Sequence, residues 1–442
     1  MIAELSSRAL ACSGAHSGLV ERSAKALLCP AQLLFSTPCF LFLVSLVAML
    51  LRPPDVQFYQ ADRIAFGLLL LGVVGRAVVL RQPVFVFERA SWPMVGLIVL
   101  ALASVLGQPF EPETWSLLAA KFIVPFAMFH IAALVFTDDT RLRHFEVFSL
   151  IVLGYLTFTA IAFLCGMHSL IFPRFILDAS IGRHVDRARG PLLQAVANGV
   201  SLNVLALLAL HSYRRARAGK TAIAVLLAMV PVAILATMTR AVWLSFAGAL
   251  GVLMLFAGSQ RLRRMCLGIS VFALAGLAIV FSSDQRRTAL SERLNDNGPV
   301  EFREAVYAGG WEMFLERPLT GWGFHQMPDE LPRHVIGYSE KKTLYPHNTY
   351  LELLAEHGIV GFGLYLWLMW ELWRLNSNVL PAGERNGFLG STFHRLWPII
   401  LGVYWLNALV VAMSYQFVNA LLFTLAGMLA AQRRRRNMVP AC

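Results

Sequence analysis

The sequence predicts an all-α fold, a polytopic membrane helix bundle of about 12 transmembrane helices with a large external loop that contains helices. The first observation is composition, since 57% of the 442 residues are hydrophobic and only 14% are charged. Soluble proteins carry about 25% charged residues. The second is the recurrence of apolar runs of roughly 17 to 25 residues, the length that crosses the hydrocarbon core of a bilayer. The sequence lacks the period-2 alternation of a transmembrane β-barrel.

Twelve apolar runs are candidate spans, and they divide the chain into three regions. Residues 1–283 hold the first nine spans, residues 284–346 form the large external loop, and residues 347–442 hold the last three spans and an internal C-terminus. The predicted spans are 33–51, 64–80, 92–107, 115–136, 147–167, 192–212, 221–238, 241–257, 266–283, 352–373, 396–412 and 416–431.

The distribution of basic residues sets the orientation. With the N-terminus inside, the clusters "RRARAGK", "RLRR" and "RRRR" all fall on the inner side, as the positive-inside rule expects. Membrane topology therefore explains much of the net charge of +12, and no nucleic-acid partner is predicted. Two long outer segments, 168–191 and 284–346, are nonetheless unusually basic for an external surface.

The external loop 284–346 is longer than an ordinary connection, and such loops tend to carry function. A helix is predicted before Pro318, with Arg303 and Glu304 off its apolar face. We expect this helix to lie on or in the membrane interface and to cap the bundle. Its predicted apolar face consists of Phe302, Ala305, Val306, Trp311, Phe314 and Leu315.

The first basic outer segment ends in a group of arginines, where Arg183, Arg187 and Arg189 precede a Gly-Pro pair that opens the sixth span. A guanidinium stays charged and binds phosphate through paired hydrogen bonds, so this segment suits a phosphate-bearing lipid headgroup. Anchoring to ordinary membrane lipids is the alternative for each of them. Arg189, which is closest to the span, is the strongest candidate.

Two further cations lie at or within predicted spans. Arg240 stands between the seventh and eighth spans with almost no loop around it, where it either serves a site or extends toward the interface from a helix end. Lys121 lies inside the fourth span, where it either belongs to a pathway through the bundle or reaches a lipid headgroup.

The stretch "PHNTYLELLAEHGIVG" opens the tenth span. Pro346 and Asn348 predict a helix start, which puts His347 at the N-terminal end of that helix. A histidine titrates near neutrality and accepts a proton from a hydroxyl group, and a helix N-terminus disfavours the imidazolium form. A capping or interfacial role is the alternative. Glu352 and Glu356 either orient His347, pair with an arginine, or are charges on the helix surface.

Cofactor-dependent chemistry is not indicated. The sequence has no nucleotide-binding loop, no nucleophile elbow and no Cys/His spacing typical of a metal site, so no cofactor and no metal are expected. A reaction on the outer face then requires a donor that is already activated. A lipid-linked diphosphate sugar fits, because arginines can stabilise a departing diphosphate without a metal.

Four segments resemble, in order, those of the O-antigen ligase and polymerase superfamily. "RGPLLQAVANG" is similar to its segment running from an Arg-Gly pair to an asparagine, and "TRAVWL" to its Ser-Arg-Gly/Ala-x-Trp segment, with threonine in place of serine. "ERPLTGWGF" resembles its Pro-x-x-Gly-x-Gly turn, and "PHNTYLELLAEHGIVG" its H-N-x-x-L-x-x-x-x-E-x-G-x-x-G signature. The resemblance covers about residues 190–370 and extends to the rest only through hydropathy.

This resemblance implies transfer of a glycan from undecaprenyl diphosphate in the bacterial inner membrane, with the active site and the external loop facing the periplasm. His347 would activate the acceptor hydroxyl, and Arg189 and Arg240 would hold the donor's diphosphate. The reaction is expected to be metal-independent and to invert the anomeric centre. The candidates for supporting roles are Arg187, Asn348, Glu352, Glu356, Arg303 and Lys121.

The resemblance leaves the acceptor open. Ligases attach the glycan to lipid A–core oligosaccharide, polymerases join lipid-linked repeat units, and protein O-glycosyltransferases share the histidine motif. The long loop placed before the histidine favours a ligase over a polymerase. A transporter or lipid flippase is the alternative without chemistry, and it would carry its ionisable residues mid-membrane along a pathway.

Overall fold

The computed structural model describes most of the chain, and the regular secondary structure of the described part is helical. The described residues are 37–52, 60–81, 84–85, 87–181, 185–216, 218–256, 260–281, 288, 298–335, 344, 347–376 and 387–438. Arg183 and Pro346, both named above, lie outside these ranges. Within the ranges no strand occurs, which confirms the all-α class.

The longer helices are numbered here in chain order. They are α1 (Thr37–Leu50), α2 (Ala61–Leu80), α3 (Ser91–Leu106), α4 (Pro112–Val135), α5 (Asp139–Leu164), α6 (Ala195–Arg215), α7 (Lys220–Ala236), α8 (Arg240–Phe256), α9 (Gln260–Phe281), α10 (Gly298–Glu316), α11 (Thr349–Arg374), α12 (Ser391–Ala408) and α13 (Gln416–Met438). A π-helical stretch, Ala119–Ile123, interrupts α4. A single helical turn, Met327–Glu330, lies between α10 and α11.

Each predicted span overlaps one of these helices. Five of them, α2, α4, α5, α6 and α11, are long and apolar enough to cross a membrane, and α1, α3, α7 and α8 are shorter apolar helices. The membrane character of the fold is therefore supported. The total of about twelve spans and the division at residues 283 and 346 stay predictions, because 282–287 and 336–343 lie outside the described residues.

Helix α6 is the centre of the bundle, buried along nearly its whole length and packed against α5, α7, α8 and α12. It runs parallel to α8, because Gly199 faces Val242 and Asn203 then meets Ser245 one turn further on. The approach at Gly199 is close, since a Cβ there would lie 2.4 Å from a Val242 methyl carbon. The N-termini of α6 and α8 therefore lie at the same end of the bundle.

This end of the bundle is called the site end. The N-terminus of α11 and the C-terminus of α12 also lie there. The Asn407 amide, near the C-terminus of α12, donates to Ser245 Oγ at 2.9 Å. Thr349 is the first residue of α11, and its hydroxyl donates to the carbonyl oxygen of Val411 at 2.9 Å. The N-termini of α6, α8 and α11 and the C-terminus of α12 therefore meet at the site end. Arginines such as Arg215 and Arg374 lie at the opposite end of their helices, as expected for the inner side.

Helix α10 packs on the site end, but through a different face from the one predicted. Val306 and Met313 are fully buried in a small core with Met327, Leu331 and Ala355. Trp311 and Leu315, which the sequence assigned to the same apolar face, are exposed. That assignment is wrong because residues 306, 310 and 313 share the face toward the protein, whereas 311 and 315 point to the opposite side at 100° per residue.

Candidate active site

The centre of the candidate site is a break in α11 on which the preceding turn is docked. Gly358 leaves the helical conformation, with φ 60° and ψ −162°. Four backbone hydrogen bonds join the broken helix to the turn: Ile359 N–H to Pro318 O at 2.8 Å, Val360 N–H to Leu319 O at 3.3 Å, Trp322 N–H to Ala355 O at 2.9 Å and Gly323 N–H to Glu356 O at 2.9 Å. The turn thus satisfies backbone groups that the break releases, which buried groups require.

The glycines of this region are needed because the two backbones touch. A Cβ at Gly358 would lie 2.3 Å from Leu319 O, and one at Gly321 would lie 2.4 Å from the carbonyl carbon of Glu356. Both glycines also have positive φ, which costs a residue with a Cβ further free energy. The Pro-x-x-Gly-x-Gly turn and the glycine of the histidine motif are therefore two halves of one contact.

His347 lies directly before α11, as predicted. The Asn348 side chain caps the helix, accepting from the backbone N–H groups of Tyr350 at 3.0 Å and Leu351 at 3.2 Å. His347 is half-buried and has φ 45°, a left-handed conformation that is uncommon for a residue with a side chain. Its carbonyl oxygen accepts from the Tyr307 hydroxyl of α10 at 3.5 Å. The histidine backbone is therefore held from both sides.

Tyr307 also lines an open cleft beside His347. The cleft, of about 800 Å³, is bounded by Arg303, Glu304, Tyr307, Leu409 and Val410. Burial raises the pKa of Tyr307, while Arg303 and a hydrogen bond with Asn348 lower it. Arg303 therefore lies in the wall of the same cleft as Tyr307. Sequence reasoning missed Tyr307, although its position four residues after Arg303 puts the two on one helix face.

Arg189 is buried and holds the loop before it. Only 1% of the residue is exposed. Its guanidinium donates to three carbonyl oxygens, those of Ile176 at 2.9 Å, Ile181 at 2.6 Å and Asp178. Burial lowers the pKa of this guanidinium from its ordinary value, which still leaves it charged at neutral pH. In this conformation the side chain organises residues 176–181, and its contact with a diphosphate stays a prediction.

The Arg-Gly segment and the Arg240 segment are joined to each other. Ala188 N–H donates to Ala236 O, at the end of α7, at 3.0 Å. The Asn198 amide donates to Ala188 O at 2.9 Å, and a Cβ at Gly190 would lie 2.6 Å from Asn198 Oδ1. Arg187, which precedes this contact, is buried, and its Nε lies 3.4 Å from Asp186 Oδ2. This explains why an Arg-Gly pair and an asparagine occur together.

Arg240 is the first residue of α8 and is exposed at the site end. The turn before it is short because Ala236 ends α7 and only three residues separate the two helices. The Trp243 indole N–H donates back to Ile234 O at 3.0 Å. The tryptophan of "TRAVWL" therefore closes the turn that carries Arg240, and the exposed guanidinium belongs to a fixed backbone.

Lys121 and the two glutamates form a buried cluster instead of interfacial charges. The Lys121 ammonium forms an ion pair with the Glu352 carboxylate, and their side chains are 11% and 4% exposed. The Lys121 nitrogen also lies 5.4 Å from the centroid of the Phe324 ring. In this conformation the Lys121 ammonium pairs with Glu352 instead of reaching a lipid headgroup. Glu352 and Glu356 are likewise not surface charges, since each is at most 3% exposed.

The second glutamate anchors the docked turn. The carbonyl oxygen of Glu356 accepts from Gly323 N–H at 2.9 Å, and its carboxylate lies near the backbone N–H groups of His325 and Met327. Phe324, the residue before His325, is fully buried, and its N–H donates to Ser104 Oγ of α3 at 2.8 Å. Ser104 and Phe324 were not singled out from the sequence, which contains no local signal for this contact across 220 residues.

Each of the four motif segments contains or adjoins a non-glycine residue with positive φ. Among the described residues these are Leu193 at 51°, Met238 at 47°, His325 at 60° and His347 at 45°, with Arg81 at 50° the remaining case. Backbone conformations of this kind cost of order 1–3 kcal/mol and cluster at functional sites. The site end therefore concentrates strain where the candidate residues lie.

Comparison with known families agrees with this geometry. Residues 222–366, about a third of the chain, match the family model described as O-antigen ligase (Wzy_C). This segment is similar to the O-antigen ligase family. It contains the Arg240 turn, the docked turn and the His347 helix, while Arg189 lies before it. Among curated proteins, none is significantly similar to the chain. The match to this family supports glycosyltransferase activity of the ligase or polymerase type on lipid-linked glycans.

Proposed function

We propose that the protein is an O-antigen ligase of the bacterial inner membrane. It moves a polysaccharide from undecaprenyl diphosphate to lipid A–core oligosaccharide on the periplasmic face. The observation that carries the proposal is the convergence of four strained motif segments at one end of the helix bundle, three of them inside the segment that matches the O-antigen ligase family. The open cleft beside His347 gives a lipid-linked donor and a carbohydrate acceptor a common place to meet.

His347 is the general base in this proposal. The acceptor hydroxyl oxygen attacks the anomeric carbon of the donor while its proton passes to the His347 imidazole. The bond from the anomeric carbon to the diphosphate oxygen breaks, and undecaprenyl diphosphate leaves with that electron pair. A single displacement inverts the anomeric centre. General bases of this kind contribute typically 10²–10⁴-fold to the rate.

Arg240 and Arg189 hold the donor's diphosphate. Arg240 is exposed at the start of α8, where its guanidinium can pair with phosphate oxygens. Arg189 already donates three hydrogen bonds, so its contribution comes from the two remaining N–H groups of its five. Arg303 lines the cleft and supports the same charge. These guanidinium groups neutralise the leaving group, and the proposed step uses no metal.

Reconstitution of the purified protein tests the proposal. The protein, placed in lipid nanodiscs, is given the lipid-linked glycan alone or together with lipid A–core acceptor. A ligase forms product only when the acceptor is added. Growth of longer lipid-linked chains from the donor alone would show a polymerase. Absence of transfer in both arms, with active control enzyme, would support a transporter.

A deletion strain gives an independent answer. Loss of a ligase leaves long, uncapped glycan chains on the lipid carrier. Loss of a polymerase leaves single repeat units attached to the core oligosaccharide. We predict long, uncapped chains on the lipid carrier. Single repeat units on the core oligosaccharide would instead identify the protein as a polymerase.

A further inference from the structure

A second cavity opens at the site end. It is partly open to solvent and has about 850 Å³ of space, solvent included, between the C-terminal end of α1, the first turns of α4 and the start of α13. The polar side chains that line it are Arg52, Glu113, Ser116, Ser414, Tyr415 and Gln416.

Arg52 is the fixed centre of this cavity. Its Nη1 donates to Asp62 Oδ2 at 3.0 Å and to Gln416 Oε1 at 2.9 Å, and its Nη2 donates to Ser116 Oγ at 3.1 Å. Asp62 is buried, whereas Arg52 is only partly covered. One guanidinium thus joins α2, α4 and α13. The polar wall of the cavity is therefore preorganised, which reduces the cost of binding a ligand.

The charge of the cavity disfavours a phosphate. Asp62 balances the charge of Arg52, and Glu113 adds a negative charge at the wall that has no ion-pair partner among the described residues. An anionic group would meet a like charge in this cavity, and like charges at close range repel. A neutral, hydroxyl-rich molecule has no such conflict, because hydroxyl groups both donate to carboxylates and accept from amides.

The remaining wall is apolar, which suits the carbon face of a sugar ring. Met49, Leu117 and Phe417 line the cavity together with the polar groups. A cavity with an apolar surface and a few fixed polar groups is the usual design of a specific small-molecule site. A pyranose ring presents both kinds of surface, with C–H groups on its faces and hydroxyl groups around its edge.

The cavity borders the candidate active site on two sides. Leu192, which lines it, lies three residues after Arg189. Ser414, which also lines it, follows Met413, whose N–H donates to Thr349 Oγ1 at 2.9 Å. Thr349 is two residues from His347. A molecule in this cavity is therefore adjacent to both the arginine segment and the histidine helix.

We propose that this cavity is a subsite for a neutral sugar residue of one of the two substrate glycans. That this sugar belongs to a substrate rests on the proposed ligase function. The sugar comes either from the donor glycan or from the acceptor oligosaccharide, and the chemistry of the wall is the same for both.

Binding of two soluble probes to the full-length protein in detergent tests this subsite. One probe is core oligosaccharide released from lipid A, and the other is donor glycan released from its carrier, each titrated by saturation-transfer NMR. We expect Leu192→Trp, which fills the cavity, to weaken one probe about tenfold or more. Glu113→Gln, which removes a charged acceptor, weakens the same probe by about tenfold.

Matched variants control for indirect effects. Leu170→Trp changes an exposed leucine at the same end, and Glu312→Gln changes an exposed glutamate of α10. Both leave probe binding unchanged. Each variant must keep the unfolding midpoint of the original protein, and Leu192→Phe replaces Leu192→Trp if the larger side chain prevents folding.

The probe that loses affinity identifies the source of the sugar. Failure of both probes to bind the original protein, or unchanged binding in the cavity variants, overturns the subsite. Because binding is measured without transfer, the result is separate from the ligase proposal. Sugar binding in a protein that transfers nothing would overturn the ligase function and leave the subsite standing.

Discussion

The ammonium of Lys121 and the carboxylate of Glu352 form an ion pair inside the helix bundle, joining the π-helical stretch of α4 to the first turn of α11. The pair is 231 residues apart in sequence and connects the middle of one helix to the residue five positions after His347. It therefore ties the candidate base to the bundle through charge as well as through packing.

Breaking this pair destabilises the protein. Lys121→Met leaves the buried Glu352 charge without the Lys121 ammonium, and we expect a loss of about 3–5 kcal/mol in the free energy of unfolding. The double variant Lys121→Met/Glu352→Gln recovers a large part of this loss, because residue 352 then carries no buried charge. Thermal unfolding in detergent measures all three proteins. Additive losses in the double variant would contradict the direct pairing.

Alanine substitutions at two glycines of α11 distinguish the contribution of the docked turn to stability from that of helix propensity. Gly358→Ala places a Cβ against Leu319 O and forces a positive φ on alanine, so we expect a loss of about 2 kcal/mol or more in stability and a strong loss of transfer. Gly363→Ala, in the same helix with open space around its Cβ, is neutral or stabilises by about 0.5–1 kcal/mol. Equal behaviour of the two variants would contradict the docked-turn geometry.

The cap of α11 supports the position of His347. Asn348→Ala removes the acceptor for two backbone N–H groups, and we expect a loss of about 1 kcal/mol in stability together with reduced transfer. Asn348→Asp keeps a good N-cap acceptor and retains stability. The comparison uses unfolding midpoints and initial transfer rates. Full transfer activity in Asn348→Ala would show that the cap is not needed to position His347.

Lysine variants distinguish the two arginines. Arg189→Lys cannot replace three carbonyl contacts made by a planar guanidinium, so it lowers stability as well as transfer. Arg240→Lys, at an exposed position, keeps stability and raises the KM for the donor. Unfolding midpoints and donor titrations give both quantities. A stable Arg189→Lys protein would show that its carbonyl contacts contribute little to the fold.

The sequence was sufficient to locate the helices but not their contacts. A bilayer requires long apolar segments, so hydropathy alone predicted a helix at each position from α1 to α13, apart from α10, which came from periodicity. The Asn348 cap was also predictable, because capping is local. The Lys121–Glu352 pair and the Phe324–Ser104 bond depend on packing between distant helices. The face of α10 was mispredicted because Trp311 and Leu315, although apolar, lie on the exposed side of the helix.

The role of His347 is tested most directly by His347→Asn in purified enzyme with lipid-linked glycan and lipid A–core acceptor. Asparagine tolerates the left-handed backbone of this position better than alanine does, so it removes the base without adding backbone strain. If His347 is the general base, we expect an unchanged unfolding midpoint and a loss of transfer of at least about 100-fold. Product formation at the original rate in the folded His347→Asn protein would contradict this role.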